Sequence, residues 1–236
     1  MLDTVDSTNA HAARLAPSCP TWIVAAEQTG GRGRRGRPWI SLRGNFYATL
    51  ALQPHDPPET VALRSFVAAL ALRDACVSLT GVPQAFALKW PNDVLLNGGK
   101  LAGILLESTG SGGRITQVSI GVGVNLIAAP DAAAVEPGAV PPVSLLAETR
   151  CRVTPEAFLS VLAPAFARWE AILITEGFSP LRQAWLQSAA RLGEVIQARI
   201  GPQTHTGTFE TMDATGALVL ATPAGRLSIP AADVFF

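Results

Sequence analysis

The chain has 236 residues, 48% of them hydrophobic, and its 18 lysines and arginines are matched by 18 aspartates and glutamates. That length and apolar share can bury a full core in one or two domains, which excludes a disordered chain. The even charge excludes a global field for gathering nucleic acid or anionic membrane, so any electrostatic specialisation is local. Cys19, Cys76 and Cys151 are far apart and odd in number, which fits reduced thiols rather than a disulfide framework or a cysteine metal site. Asp3 and Asp6 stand where a secretory leader would carry basic residues, and no uninterrupted apolar run reaches the length of a bilayer span. The expectation is a cytoplasmic protein without a membrane partner. The first informative motif already lies at residues 6–9, which leaves no room for an N-terminal DNA-binding module.

In chain order, Asp6-Ser7-Thr8-Asn9 precedes an alanine-rich helix to about Ala16, with Ser7 or a neighbour as its cap. Trp22 to Gln28 predicts a strand, GGRGRRGRP a loop, and Phe46 to Leu52 a second strand. Residues 58–80 predict one helix ending before Gly81. Residues 86–126 predict successive strands: AFALKW, then VLLN turning through Gly98-Gly99 into KLAGILLES, and, after a glycine-serine loop, ITQVSIGVGVNL. Ala128 to Pro142 predicts an irregular excursion. Thr154-Pro155-Glu156 opens a helix to about Glu176, and a shorter one follows from Ser179 to Ala190. From Gly193 the pattern changes to short strands with glycine-bearing turns, the texture of a small β-barrel.

Two constellations carry chemistry. Arg32, Arg34, Arg35, Arg37 and Arg43 fall in a thirteen-residue, acid-free window from Gly31, a local trap for anions. Arginine binds phosphate in bidentate fashion and glycine lets the backbone close over it, so a polyphosphate is the natural partner, against the plain alternative of a solvated basic loop. The spelling Gly31-x-Gly33-x-x-Gly36 lacks the following helix of a dinucleotide site, and Arg37-Pro38 stands where a P-loop needs lysine and a hydroxyl residue. A nucleic-acid contact with Trp22 or Trp39 stacking on bases lacks any basic stripe elsewhere. Lys89-Trp90-Pro91-Asn92-Asp93 marks a strand end, with Lys89 either aimed at a pocket or left in solvent beside a turn.

Taken together, DSTN at 6–9, AEQTGGRGRRGRPW at 26–39, GNFY at 44–47, LKWPNDVLLNGGKLAGILLE at 88–107 and IGVGVN at 120–125 resemble the biotin–protein ligase family in order and spacing. The resemblance is close over residues 3–126 and loose beyond. It implies an α+β fold: a mixed β-sheet packed with helices, of the class II aminoacyl-tRNA synthetase-like kind, over residues 1–190, then an SH3-like barrel over 191–236. It also implies the monofunctional type, with no operator binding.

The activity implied is ATP-dependent formation of biotinyl-5′-AMP with Mg2+, followed by transfer of biotin to a lysine of a biotin carboxyl carrier domain. Both steps build negative charge around one centre, so a fixed cation and positioning are the useful catalysts. By resemblance Lys89 and Arg34 are the catalytic groups. Hydroxyls and amides of Ser7, Thr8, Asn9 and Gln28 suit the ureido ring of biotin, and the resemblance adds Arg32, Gly33, Arg34, Lys89, Gly103 and Gly121 to the biotin set. Arg34, Arg37, Trp39, Asn92, Gly123 and Asn125 form the ATP set, with Asn92 and Asn125 open to nucleotide or magnesium contacts and no other protein metal ligand named. Two readings of Trp39 stay open, stacking on adenine and packing in the core; for Gly121 and Gly123 they are clearance for a ligand and a strand bulge. Pro38 before Trp39 and a short segment between Ser41 and Gly44 depart from the family pattern. The competing readings are a lipoate or octanoate ligase or transferase of the same superfamily, and a non-catalytic biotin-binding scaffold. Some family members dimerise through the sheet, so a homodimer is among the expected states.

Overall fold

A computed structural model describes residues 1–136 and 138–236. Its main element is a seven-stranded sheet built from β1 (Leu2–Val5), β2 (Thr21–Gln28), β3 (Phe46–Leu52), β4 (Phe86–Lys89), β5 (Asp93–Leu96), β6 (Gly99–Ser111) and β7 (Arg114–Val124), in the order β1-β2-β3-β7-β6-β5-β4. Only β1 pairs parallel, with β2; the other neighbours are antiparallel. The helices are α1 (Thr8–Leu15), α2 (Pro58–Ala62), α3 (Arg64–Thr80), α4 (Leu145–Thr149), α5 (Pro155–Glu176) and α6 (Phe178–Gln187).

Strand β3 shows why this sheet needs cover on both faces, since every residue of FYATLAL is buried. Side chains alternate along a strand. Phe46, Ala48, Leu50 and Leu52 enter the large core with α3 and α5, whereas Ala51 packs with Ala12 of α1 on the other face. Thr49 shares that second face, where β7 presents Gly121 and Gly123 and β6 presents Gly103. The second face is where the pocket forms.

A second, five-stranded antiparallel sheet contains β8 (Val195–Ile200), β9 (Gln203–Met212), β10 (Leu218–Thr222), β11 (Gly225–Ile229) and β12 (Asp233–Phe235), in the order β11-β10-β9-β8-β12. Its end strands β11 and β12 are not paired with each other among the described residues, so the barrel texture of the sequence is realised as a sheet without hydrogen-bonded closure. Trp185 of α6, 1% exposed, stands between Phe66 of α3 and Phe209 of β9 in edge-on contacts. Truncating such a buried aromatic costs about 3–5 kcal/mol. Trp90 Nε1 also donates to the Gly216 carbonyl at 3.0 Å, tying the two sheets together at the end of β4.

Several expectations need correction. The helix over 58–80 is interrupted at Leu63, where Arg64, 3% exposed, turns inward to pair with Asp56 and with Glu170 of α5. Ser7 occupies the N-cap position of α1, but its side chain makes no capping bond. β6 runs on to Ser111, so the loop before β7 is only the turn at Gly112-Gly113. The strand β1 and the helix α4, each too short to show a period, were not expected. Helix α5 is long and apolar enough on average to cross a membrane, but Arg168 and Glu170 interrupt it, as expected of a chain without an unbroken apolar run, and it packs Phe158, Leu162, Phe166 and Leu173 into the core. Within the excursion over 128–142, Pro137 lies outside the described residues, and Ala132–Ala134 form one 3-10 turn.

Candidate active site

A cavity of about 380 Å³ lies on the glycine-bearing face of the large sheet, within the range of small-molecule sites. At one end, the start of α1 and the end of β2 bring together Ser7, Thr8, Asn9 and Gln28. Gln28 Oε1 accepts from the Thr8 amide at 2.9 Å and from the Thr8 hydroxyl at 3.1 Å. The Thr49 hydroxyl, fully buried, donates to Asn9 Oδ1 at 2.6 Å and lies 2.8 Å from the Thr8 hydroxyl. Asn9 Nδ2 donates to Glu107 Oε2 at 2.7 Å and to the Leu105 carbonyl at 3.2 Å. Ser7 makes no capping bond and lines the same end of the cavity.

At the other end lies the arginine loop. Arg32 bridges to Pro38, Gly33 N–H donates to the Arg37 carbonyl at 2.7 Å, and Trp39 N–H to the Gly31 carbonyl at 2.9 Å. The tip needs left-handed backbone at Arg35 (φ 56°) and Gly36 (φ 73°). The image of an unopposed cation trap is corrected by long-range partners. Asp233 accepts from Arg35 at 2.7 Å and from Arg37 at 2.5 Å, and Glu136 pairs with Arg37 at 3.0 Å and with Arg199. Arg34 donates to the Ala232 carbonyl at 3.2 Å. Burial pushes the Asp233 carboxyl upward, but the Arg37 hydrogen bond and the charges of Arg37, Arg35 and Arg34 prevail and hold it below the usual carboxylate value. Burial also lowers the Arg34 guanidinium.

Between the two ends stand two lysines and one acid. Lys89 closes β4 with a side chain only 11% exposed, which rules out the solvated reading. Burial pushes its ammonium down, opposed by Asp93, whose carboxylate lies 3.9 Å away. Lys100 reaches Asp93 at 2.7 Å and sits over the Trp39 ring at 5.6 Å.

Trp39 lies against the sheet where glycine is required. A Cβ on Gly123 would stand 2.6 Å from the indole, one on Gly103 3.0 Å from it, and one on Gly121 2.4 Å from Asn9 Oδ1. The three glycines therefore clear space for Trp39 and Asn9. The bulge reading fails, because Gly121 and Gly123 keep regular register with β3 and β6. Trp39 Nε1 and Asn125 Oδ1 are buried without a partner among the described residues. Such atoms cost about 1–3 kcal/mol each, and both belong to residues of the cavity wall. The partners that are met hold the frame: Asn92 Nδ2 donates to the Ile104 carbonyl at 2.7 Å and Asn125 Nδ2 to the Val143 carbonyl at 3.1 Å.

Every residue of the catalytic, biotin and ATP sets thus lines this one cavity, whereas Arg35 and Arg43 of the arginine window do not, Arg43 pairing with Asp3 and Glu27 instead. Lys100 and Asp93, which also line it, were inside a quoted motif but carried no pattern of their own; their position across β5 and β6 singles them out. Thr49 and Glu107 stand behind the wall, visible only through strand alternation. Glu136 and Asp233 come from distant segments, and nothing local marks them.

Residues 3–125 match the biotin/lipoate A/B protein ligase family, and residues 192–236 match the biotin protein ligase C-terminal domain. The biotin--[acetyl-CoA-carboxylase] ligase of Paracoccus denitrificans is 59% identical, the alignment covering 100% of this chain and 99% of that protein. The bifunctional ligase/repressor BirA of Bacillus subtilis is 31% identical over 98% of this chain and 72% of its own length. Among solved structures, the biotin protein ligase from Aquifex aeolicus in complex with biotin and ATP superposes with a TM-score of 0.85 over 99% of this chain and 95% of that one; at 24% identity it bears on the fold.

Proposed function

The chain belongs to the biotin/lipoate A/B protein ligase family, and from that premise we propose how its cavity performs ATP-dependent biotinylation. The activity is that of a biotin ligase, as in the full-length relative at 59% identity; the lipoate or octanoate alternative is not favoured. In the first step a biotin carboxylate oxygen attacks the α-phosphorus of ATP, and the bond to pyrophosphate breaks. In the second an acceptor lysine amine attacks the carbonyl of the mixed anhydride, AMP departs, and the amine proton is released.

The observation that carries the residue assignment is the cavity's division into a satisfied polar end and a cationic end, with Lys89 between them. The ureido ring fits the Ser7, Thr8, Asn9 and Gln28 end, where fixed donors and acceptors select for it. Lys89, joined by Lys100, stabilises charge on the carboxylate and α-phosphate oxygens. Arg34 retains the adenylate and Arg37 receives the phosphates, exchanging its carboxylate partners for them. Trp39 Nε1 and Asn125 Oδ1 suit the nucleotide, as unpaired atoms a bound base or ribose can satisfy. Magnesium enters this reading as the ion of the MgATP substrate.

The acceptor is a biotin carboxyl carrier domain and the location cytoplasmic. Residues 1–190 form the catalytic unit, and 191–236 supply Asp233, one of the two acids that hold the loop. The test is pyrophosphate exchange into ATP with biotin or lipoate, then intact mass of an added acceptor domain. Exchange with biotin alone and one biotin-sized mass gain is expected; exchange with lipoate alone would overturn the reading.

A further inference from the structure

An acyl-adenylate is a reagent for amines, and this chain offers it very few. Of the 18 basic side chains only Lys89 and Lys100 are lysines; the other 16 are arginines. Arg14, Arg168 and Arg226, with side chains 57%, 59% and 75% exposed, occupy the kind of solvated position that lysine commonly fills. The two cations differ in reactivity. A guanidinium stays protonated and is no nucleophile, whereas an exposed lysine, with a pKa of about 10.4, is about one part in a thousand free amine near pH 7.4.

Both lysines line the cavity, and one carboxylate holds them. Asp93 faces Lys89 across the β4–β5 pair. Its Oδ1 lies 2.7 Å from Lys100 Nζ and its Oδ2 3.9 Å from Lys89 Nζ. Asp93 is 8% exposed, so water and salt screen its charge little. Burial presses the Lys89 ammonium toward losing its proton; Asp93 opposes this most strongly and Asp233 adds to it, against Lys100 and Arg37. A protonated amine has no lone pair to give.

We propose that the chain is protected against biotinylating itself: it carries no lysine outside the cavity, and inside it Asp93 ties both lysines into ion pairs that withhold their amines from the anhydride. The inference rests on the ligase reading above. Self-acylation needs a neutral Nζ to attack the anhydride carbonyl, forming an amide N–C bond as the C–O bond to AMP breaks. The electron pair leaves on AMP and the amine proton passes to solvent. Asp93 denies the neutral Nζ at the two lysines, and arginine denies it at the other basic positions.

The experiment adds synthetic biotinyl-5′-AMP to the folded protein without an acceptor, which bypasses the first step, and maps biotin onto residues by peptide mass. Wild type, Asp93→Asn and Ala134→Lys are compared, with unfolding temperature and adenylate retention recorded for each. Ala134 is exposed on the 3-10 turn at the cavity wall, so Ala134→Lys places an amine there outside the Asp93 clamp. Wild type should leave Lys89 and Lys100 unmodified over the time in which an added acceptor domain is fully labelled. Asp93→Asn should acylate Lys100, the more exposed of the two at 30% against 11%. Its rate should rise about tenfold or more over wild type, since loss of an adjacent opposite charge raises the neutral fraction of an amine about 10–1000-fold. A merely structural role for Asp93 would weaken adenylate retention without moving biotin onto Lys100. Ala134→Lys should be labelled at residue 134, and with the wild type it decides the matter even where Asp93→Asn fails to fold. Biotin on Lys89 or Lys100 of the wild type, an unlabelled Lys100 in a folded Asp93→Asn that retains the adenylate, or an unlabelled residue 134 would overturn the proposal. A wild type that passed no biotin from the adenylate to an added acceptor domain would instead overturn the ligase reading.

Discussion

The two ends of the cavity, the polar one we assign to the ureido ring and the arginine one we assign to phosphates, are built on opposite principles. The first hangs on regular elements: Ser7, Thr8 and Asn9 are each 4% exposed, and Thr49 behind them is fully buried. The second is a loop whose arginines keep much of their surface in water, Arg37 being 42% exposed in its side chain, and which is held by Asp233 and Glu136 from far along the chain. Buried, fully paired polar groups are costly to disturb, whereas an ion pair exposed on both sides, such as Arg37 with Glu136, contributes only about 0–1 kcal/mol. The difference teaches that one end can select by shape while the other can trade its carboxylates for phosphates at little cost.

The largest effect is expected where the ends meet. Lys89→Ala should slow adenylate formation by about 10²–10³-fold, the usual loss for a preorganised charge-stabilising group, as read by pyrophosphate exchange. A loss of a few-fold would transfer the role to Lys100 and move the meeting point to β6. Arg37→Ala probes the exchangeable end. It should raise the KM for ATP by about 10–100-fold, in line with a charge-assisted hydrogen bond; a larger change for biotin would erase the distinction between the ends.

Thr49→Val probes the rigid end. Leaving Asn9 Oδ1 without its donor should cost about 1–3 kcal/mol of stability and raise the KM for biotin about tenfold, with the KM for ATP unmoved, as denaturant melts and initial rates would show. The smallest effect is in pH. Burial holds the Lys89 ammonium below the lysine norm, so its charged form costs folding stability at neutral pH, and that cost is relieved as pH rises through the folded value. Activity runs the other way, because the cation is lost. Adenylation should therefore decline on the alkaline side before about pH 10.4, the free-lysine value, and Lys89→Arg should move that limb upward.

How much was legible follows the same division. DSTN, GGRGRRGRPW and KWPND are local strings, and their glycines, proline and charges announce loops and strand ends whatever surrounds them. Thr49 and Glu107 are ordinary strand residues whose side of the sheet depends on a register that no short window contains. Asp233 and Glu136 were least visible, because the arginines they neutralise lie 99 to 198 positions away in sequence. The acid-free window therefore suggested a bare cation trap, a conclusion only tertiary structure could correct. Trp39 illustrates a third case: its indole was noticed, but the bare glycine floor beneath it on β6 and β7 decides how it lies.

The reach from Arg35 to Asp233 also has a consequence in time. At roughly 5–20 residues per second of synthesis, the 198 positions between them correspond to about 10–40 s. Until that stretch has been made, the guanidinium groups have no partner from β12, and the wall formed by residues 233–235 is missing. The cavity is completed only when the second sheet has been translated and docked.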